Sequence, residues 1–330
     1  MTRQKVLRTC ALTAILLASS SLVFSGSGVA QDVDPADLVK DIHAIFGDHH
    51  ARAVHAKGLV LEATFEPTQE ARELSQAIVF ADKSQATVRL SNTTGLPEIP
   101  DADPLASPRG LAIKFALSDG NEMDLVTHSF NGFPAANAND FHLFLQAIAA
   151  SGPGAAKPTP VEQYLQAHPN AVPFVTKQNP PPESYATTTY FGVNAFAFTD
   201  ASGKKTMVRY RFVPQAGEKY LDAATAASKD PNYLMEEIAT RVASTPVLFD
   251  WFAQVAQADD KVDDPSTPWP EDRQLVKLGT LTITGMAADQ QGMDTSLLFL
   301  PNNVPDGIEP ADPMIDVRSS AYPISFGERQ

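Results

Sequence analysis

Seven segments of the sequence have the character of β-strands, and this repetition limits the fold more than any other feature. In most of them apolar and polar residues alternate, as in residues 208–212 (VRYRF), which is the pattern of a strand with one buried face. Short turns rich in Gly, Asp and Asn, such as residues 118–121 (SDGN), connect several pairs of neighbouring segments. The segments are 59–65, 86–91, 111–117, 122–126, 190–199, 206–213 and 275–284. About eight strands in hairpin pairs predict an antiparallel β-barrel or a sandwich.

Helical segments and proline-rich connections lie between the strands. Leu38, Ile42 and Phe46 recur at helical spacing and predict a helix that starts at Asp34 or Pro35. Further helices are predicted at 138–150, 160–167, 233–243 and 249–258. The connections at 96–108, 153–160, 179–182, 264–270 and 301–313 are rich in proline and predict ordered loops that wrap one body. The predicted class is therefore α+β, with a single domain over residues 31–330.

The first thirty residues have the pattern of a cleaved export signal. Arg3, Lys5 and Arg8 precede an apolar stretch at 12–24, and small residues follow at 28–30. The apolar stretch is shorter than the roughly 20 residues that a membrane-spanning helix needs, which disfavours the alternative of a retained anchor. We therefore expect a periplasmic protein without a membrane contact once the signal is removed.

Cysteine content and charge exclude several functions. Cys10 is the only cysteine and lies in the predicted signal, so the mature chain would contain no disulfide, thiolate-bound zinc or iron–sulfur cluster. The net charge of the whole chain is −14, and loss of the basic signal makes it more negative. Such a charge argues against nucleic acid or an anionic membrane as a partner.

A tyrosine near the C-terminus is a candidate metal ligand. Arg318 and Tyr322 are four residues apart, which on a helix places them on one face with their Cβ atoms about 5–6 Å apart. A guanidinium at that distance would favour the phenolate form, which binds metal ions. The alternative is an ordinary surface pair, in which the guanidinium stacks on the ring.

Two further segments contain candidate site residues. His55 lies among small apolar residues, where a neutral imidazole could transfer protons, although an isolated histidine in such a place is more often a core residue. Arg89 alternates with Thr87 and Ser91 along a predicted strand, and an inward arginine there would need a buried anion. The alternative for Arg89 is a solvated position at a sheet edge.

In order, six segments resemble the catalase superfamily over most of the mature chain, most closely the small bacterial catalase-related haem peroxidases. They are 52–58 (RAVHAKG), 89–91 (RLS), 108–115 (PRGLAIKF), 123–126 (MDLV), 303–310 (NVPDGIEP) and 318–323 (RSSAYP). The resemblance implies haem b in an antiparallel barrel of about eight strands. It implies Tyr322 as the iron ligand, His55 as catalytic acid and base, and Ser91 as the residue that orients His55.

The resemblance also implies that Arg52 and Arg89 hold the haem propionates, that Arg318 faces the propionates or the Tyr322 phenolate, and that Phe141 lies in the haem pocket. Its activity would be reduction of hydrogen peroxide or organic hydroperoxides by a small organic electron donor, through a ferryl intermediate.

The sequence departs from true catalases at one functional position and in length. Thr127 and His128 follow residues 124–126, where a catalase has glycine and a peroxide-binding asparagine, so either His128 replaces that group or it is lost. The chain also lacks the long C-terminal region of full catalases, which predicts a monomer or homodimer. The alternatives are true catalase activity, a hydroperoxide isomerase on the same fold, or a haem-binding protein that is not an enzyme.

Overall fold

Eight antiparallel strands close into a barrel in the computed structural model, which describes residues 33–330. The strands are β1 (Gly58–Pro67), β2 (Ser84–Asn92), β3 (Arg109–Ala116), β4 (Glu122–His128), β5 (Tyr190–Thr199), β6 (Lys205–Pro214), β7 (Val247–Val255) and β8 (Leu275–Met286). Their order around the barrel is β4-β3-β2-β1-β8-β7-β6-β5, and pairing of His128 with Phe191 joins β4 to β5. A short ninth strand, β9 (Ile308–Pro310), pairs with β5.

The barrel interior is filled by large apolar side chains. Alternate residues of each strand point inward, because successive side chains of a strand face opposite ways. Trp251 of β7 lies among the rings of Phe65, Phe115, Tyr210 and Phe212, with ring centroids 5.3 to 5.7 Å apart. These side chains are almost completely buried, and burial of each stabilises the fold by about 1.5–3 kcal/mol.

Helices cover the outside of the barrel. They are α1 (Pro35–Phe46), α2 (Gln69–Leu74), α3 (Ala138–Ala149), α4 (Pro160–Ala167), α5 (Val172–Thr176), α6 (Ala223–Ala227), α7 (Tyr233–Ser244), α8 (Gln290–Ser296) and α9 (Met314–Gly327). The side chains of Asp34 and Asn137 cap the starts of α1 and α3. Leu38 of α1, Leu145 of α3 and Ala321 of α9 meet in a second apolar cluster, separate from the barrel interior. None of the helices within residues 33–330 is long and apolar enough to cross a membrane.

The predicted α+β class with an antiparallel barrel is confirmed. Each of the seven predicted strand segments coincides with a strand, and only the segment at 111–117 runs one residue past its strand, β3. The predicted helix at 249–258 is wrong, because residues up to Val255 belong to β7. Phe249 and Trp251 point inward, but Leu248 and Phe252 on the other face are also half-buried, so the alternation is hidden by apolar residues on both faces. The predicted export signal at 1–30 lies outside the described residues and stays a prediction.

Candidate active site

A cavity of about 670 Å³ lies between the outer face of β2, β3 and β4 and the helices α1, α3 and α9. Outward side chains of the three strands form one wall, among them Arg89, Ser91, Ala112, Val126 and His128. The helical wall is mainly apolar and includes Leu38, Ile42, Phe141, Leu145 and Tyr322. An apolar cavity of this size with a few convergent polar groups is typical of a cofactor or ligand site.

His55 enters the cavity from the loop before β1 in a backbone conformation that side chains rarely adopt. Its φ is +57°, in the left-handed region, which is uncommon outside glycine and persists where surrounding contacts impose it. The His55 N–H donates to the Thr93 carbonyl at 2.9 Å, and the Ala56 N–H donates to the Thr94 carbonyl at 3.0 Å. Nη1 of Arg89 donates to the His55 carbonyl at 2.8 Å. These three bonds hold the imidazole over the strands.

The His55 ring is oriented by Ser91 and lies directly over a glycine. Nδ1 of His55 is 3.0 Å from Oγ of Ser91. A Cβ atom on Gly110 would lie 2.7 Å from that Nδ1 and 2.4 Å from Oγ of Ser91, so only glycine leaves room for the pair. Burial, followed by the nearby charge of Arg89, lowers the pKa of His55 to about 3. The imidazole is therefore neutral at physiological pH and free to accept a proton.

Tyr322 lies on α9 with its phenol oxygen held by Arg318 one turn earlier. Nε and Nη2 of Arg318 donate to Oη of Tyr322 at 3.0 and 2.7 Å. Two charged donors on one oxygen stabilise negative charge there. Nη1 of Arg318 donates to Oδ1 of Asn194, and Nδ2 of Asn194 donates to Asp312 at 2.7 Å. Asp312 also accepts the Met314 N–H at the start of α9, which fixes the whole chain of contacts to the helix.

A cluster of three arginines lies at another edge of the cavity. Nε of Arg89 and Nη2 of Arg52 both contact the carboxylate of Asp294, and Arg329 donates to the Leu297 carbonyl at 2.6 Å. Burial and the charges of Arg89 and Arg329 lower the pKa of Arg52 to about 9, which still leaves it charged at pH 7. Three guanidiniums facing one carboxylate leave an excess of positive charge, which suits a ligand with two negative charges.

The structure brings all seven predicted site residues to this one cavity, although their chemical roles stay predictions. They are Arg52, His55, Arg89, Ser91, Phe141, Arg318 and Tyr322. The ring of Phe141 packs 4.9 Å from that of Phe133 on the helical side. The two residues where the sequence departs from catalases both border the cavity, and His128, paired with Gly110, lies on the outward strand face. Thr127 points into the barrel, where its hydroxyl donates to the Leu111 carbonyl at 2.8 Å.

The sequence reasoning did not identify Asn194, Asp294, Asp312 or Arg329. For Arg329 only a partial signal existed: it follows Tyr322 by seven residues, or about two helical turns, but α9 ends at Gly327 before reaching it. Asp312 comes shortly before the helix predicted to contain Arg318 and Tyr322. Side chains at the start of a helix commonly accept its first free N–H groups. Neither Asn194 nor Asp294 has a local pattern that indicates its role.

Comparison with known proteins agrees with the fold. The Catalase family model matches residues 33–329. A catalase-related peroxidase of Mycolicibacterium paratuberculosis is 37% identical over 279 residues, which cover 83% of this chain and 87% of the relative. A catalase-related peroxidase of Synechococcus elongatus is 32% identical over 334 residues, which cover 99% of this chain and 98% of the relative. The solved structure of a bacterial catalase superposes with a TM-score of 0.72 at 20% identity, covering 84% of this chain and 57% of that one.

The fold is thus that of a catalase-type barrel with a cavity on its outer face. The match over nearly all of the described residues, together with two relatives above 30% identity, makes the assignment firm. The chain belongs to the catalase family.

Proposed function

We propose that the protein is a haem b peroxidase that reduces hydrogen peroxide or organic hydroperoxides with a small organic electron donor. The observation that carries this proposal is that one cavity contains a doubly hydrogen-bonded phenol oxygen, that of Tyr322, and a neutral imidazole, that of His55. The reaction converts a hydroperoxide to an alcohol and water, and the donor loses two hydrogen atoms. Family membership supports an oxidoreductase that acts on peroxide.

The residues around the cavity fit a haem. Tyr322 would hold the iron through its phenol oxygen, with Arg318 stabilising the negative charge on that atom. The apolar side chains of α1 and α3 suit the porphyrin faces, and the excess charge of Arg52, Arg89 and Arg329 suits two propionates. Haem, when bound, would supply a redox-active iron through which two electrons pass from the donor to the peroxide.

The task of His55 is proton transfer between the two peroxide oxygens. Donation from Nδ1 to Oγ of Ser91 would leave Nε2 as the basic atom, able to take the hydroperoxide proton and give it to the other oxygen as the O–O bond breaks. Its lowered pKa keeps the base free at neutral pH. Arg89 acts indirectly, because it holds the His55 carbonyl and thereby the unusual backbone of that residue.

The proposal includes export to the periplasm and a monomer or homodimer. The pattern of residues 1–30 supports export, and the names of the two relatives above 30% identity support peroxidase over catalase activity. Cell fractionation with N-terminal sequencing tests the first part, and light scattering of the purified protein tests the second. An unprocessed protein retained in the cytoplasm would contradict the export proposal.

The central experiment combines a spectrum with two assays. The purified protein should show a tyrosinate-type high-spin ferric haem spectrum, and it should oxidise guaiacol with tert-butyl hydroperoxide. Tyr322→Phe should lose haem or alter that spectrum, whereas Tyr220→Phe, which lies outside the cavity, should leave it unchanged. A colourless protein would contradict the proposal, and oxygen release from hydrogen peroxide without a donor would favour true catalase activity.

The role of His55 is tested separately. His55→Ala should retain haem and lose about 10²–10⁴-fold in donor oxidation, because general acid–base catalysis supplies a factor of that size. His168→Ala is the matched control, since His168 stacks on Tyr164 away from the cavity. Unchanged turnover by His55→Ala would show that another group moves the proton.

A further inference from the structure

His128, at the end of β4, is a second imidazole of the cavity and is half-buried. Its Nε2 atom is buried and has no hydrogen-bond partner among residues 33–330. Buried polar atoms almost always have a partner, so an unpaired nitrogen next to a cavity needs an explanation. The Phe174 ring lies nearly perpendicular to the imidazole, with 6.4 Å between the ring centroids.

The strand register places His128 beside His55. Ser91 of β2 pairs with Gly110 of β3, and Gly110 pairs with His128 of β4. Directly paired residues of antiparallel strands point to the same face, so the three form one row across the outer barrel wall, with neighbours about 5 Å apart. The His55 ring lies over the glycine in the middle of the row. His55 therefore has Ser91 on one side and His128 on the other.

A backbone contact selects the tautomer of His128. The Phe130 N–H donates to Nδ1 of His128 through a long hydrogen bond of 3.4 Å, so Nδ1 acts as an acceptor. A neutral imidazole has one acceptor nitrogen and one N–H, and the proton must then be on Nε2. Burial, with the charge of Arg318 nearby, lowers the pKa of His128 to about 3 and keeps the ring neutral. The unpaired atom is a hydrogen-bond donor.

We propose that His128 is a fixed neutral donor whose Nε2–H binds and orients the peroxide beside His55. This inference rests on the proposed function and adds a second catalytic residue to it. The two imidazoles then have opposite tasks: His55 offers a basic nitrogen, and His128 offers an N–H. A donor for the peroxide oxygen that gains negative charge, placed in a buried cavity, needs no reorganisation during the reaction. It also gives the buried Nε2 the partner that residues 33–330 do not supply.

Fluoride binding to the ferric haem tests the donor without any turnover, because fluoride is an anion that accepts hydrogen bonds from groups over the iron. His128→Phe keeps an aromatic ring but removes the donor, and it should raise the fluoride dissociation constant about tenfold or more. His128→Gln keeps an N–H of similar reach and should stay within about threefold of the parent. His168→Phe, outside the cavity, is the matched control.

Peroxide kinetics provide the second measurement. His128→Phe should lower kcat/KM for tert-butyl hydroperoxide about tenfold or more, and His128→Gln should restore most of that loss. If His128→Phe does not retain haem, His128→Met against His128→Gln makes the same comparison with an unbranched side chain that has no donor. Fluoride affinity and kcat/KM that are equal in donor and non-donor variants would overturn the inference.

The two proposals fail in different ways. If the parent protein binds no haem, the proposed function itself is wrong. If the parent binds haem and oxidises the donor, but loss of the His128 N–H changes neither measurement, only the role of His128 is wrong.

Discussion

The two faces of β2, β3 and β4 differ in chemistry although they alternate along the same strands. The inward face has only apolar residues over most of its length, such as Leu90 of β2 and Ile113 of β3, and they are completely buried. The outward face presents Ser91, Gly110 and His128 to the cavity. Because successive side chains of a strand point to opposite faces, one segment can stabilise the barrel with one set of residues and form the site with the other.

The cavity face contains features that the inward face does not need. His55 has a left-handed backbone, and Nε2 of His128 has no partner within residues 33–330. Both features cost free energy that an ordinary apolar surface would avoid. We infer that the barrel interior supplies the stability that tolerates them. Substitutions on the two faces should then separate stability from activity.

The largest effect is expected on the inward face. Phe115→Ala on β3 should lower the free energy of unfolding by about 3–5 kcal/mol, because it removes a fully buried ring stacked on Trp251. Urea unfolding measures the loss. Haem content and kcat/KM of the folded fraction should change little, since Phe115 does not line the cavity.

Phe115→Leu, which leaves a smaller void, is the control and should lose less stability. A large loss of kcat/KM in the folded fraction of Phe115→Ala would show that the two faces are coupled. The proposed separation of stability from activity would then be wrong.

The second effect is expected on the outward face of the same strand. Gly110→Ala places a Cβ atom 2.7 Å from Nδ1 of His55 and 2.4 Å from Oγ of Ser91, so the imidazole must move. A displacement of about 1 Å of a catalytic group costs about 10²-fold, so kcat/KM for hydroperoxide should fall by that order while stability changes less than in Phe115→Ala. Steady-state donor oxidation measures it.

Gly285→Ala on β8 is the matched control, because a Cβ atom there meets nothing within 4 Å. It should leave kcat/KM unchanged. Full activity in Gly110→Ala would mean that the position of His55 does not depend on the space above the glycine.

The sequence predicts the barrel well where its strands have one apolar and one polar face. It fails for β7, in which half-buried Leu248 and Phe252 oppose the inward Phe249 and Trp251, so that no face is clearly polar. Alternation indicates a strand only when the outer face is solvated or polar. A strand that is covered on both sides has an apolar run that resembles a buried helix.

Part of the site could also be predicted, because its residues lie in short recognisable segments. His55, Ser91 and Tyr322 belong to three such segments, and the cavity joins them. The partners of the arginines could not be predicted. Arg318 contacts Asn194 across 124 residues of sequence, and Arg89 contacts Asp294 across 205. Contacts at that separation are set by how the strands and helices pack, which a local pattern does not encode.

The smallest effect concerns acid stability and compares the histidines of the cavity face with those elsewhere. Burial lowers the pKa of both His55 and His128 to about 3, whereas each titrates near 6.5 in the unfolded chain. Below pH 6.5 the unfolded state therefore binds protons that the folded state does not, and stability falls with pH. Between pH 7.5 and pH 5 each histidine should cost about 2 kcal/mol.

His128→Gln removes one of these two titrations, so its free energy of unfolding should fall by about 2 kcal/mol less than that of the parent over the same pH interval. Urea unfolding at pH 7.5 and pH 5 measures the difference. His168→Gln is the control, because His168 is partly exposed and outside the cavity. Equal losses of stability by the parent protein and His128→Gln on acidification would show that His128 titrates alike in the folded and unfolded states, so that burial does not keep its ring neutral at pH 5.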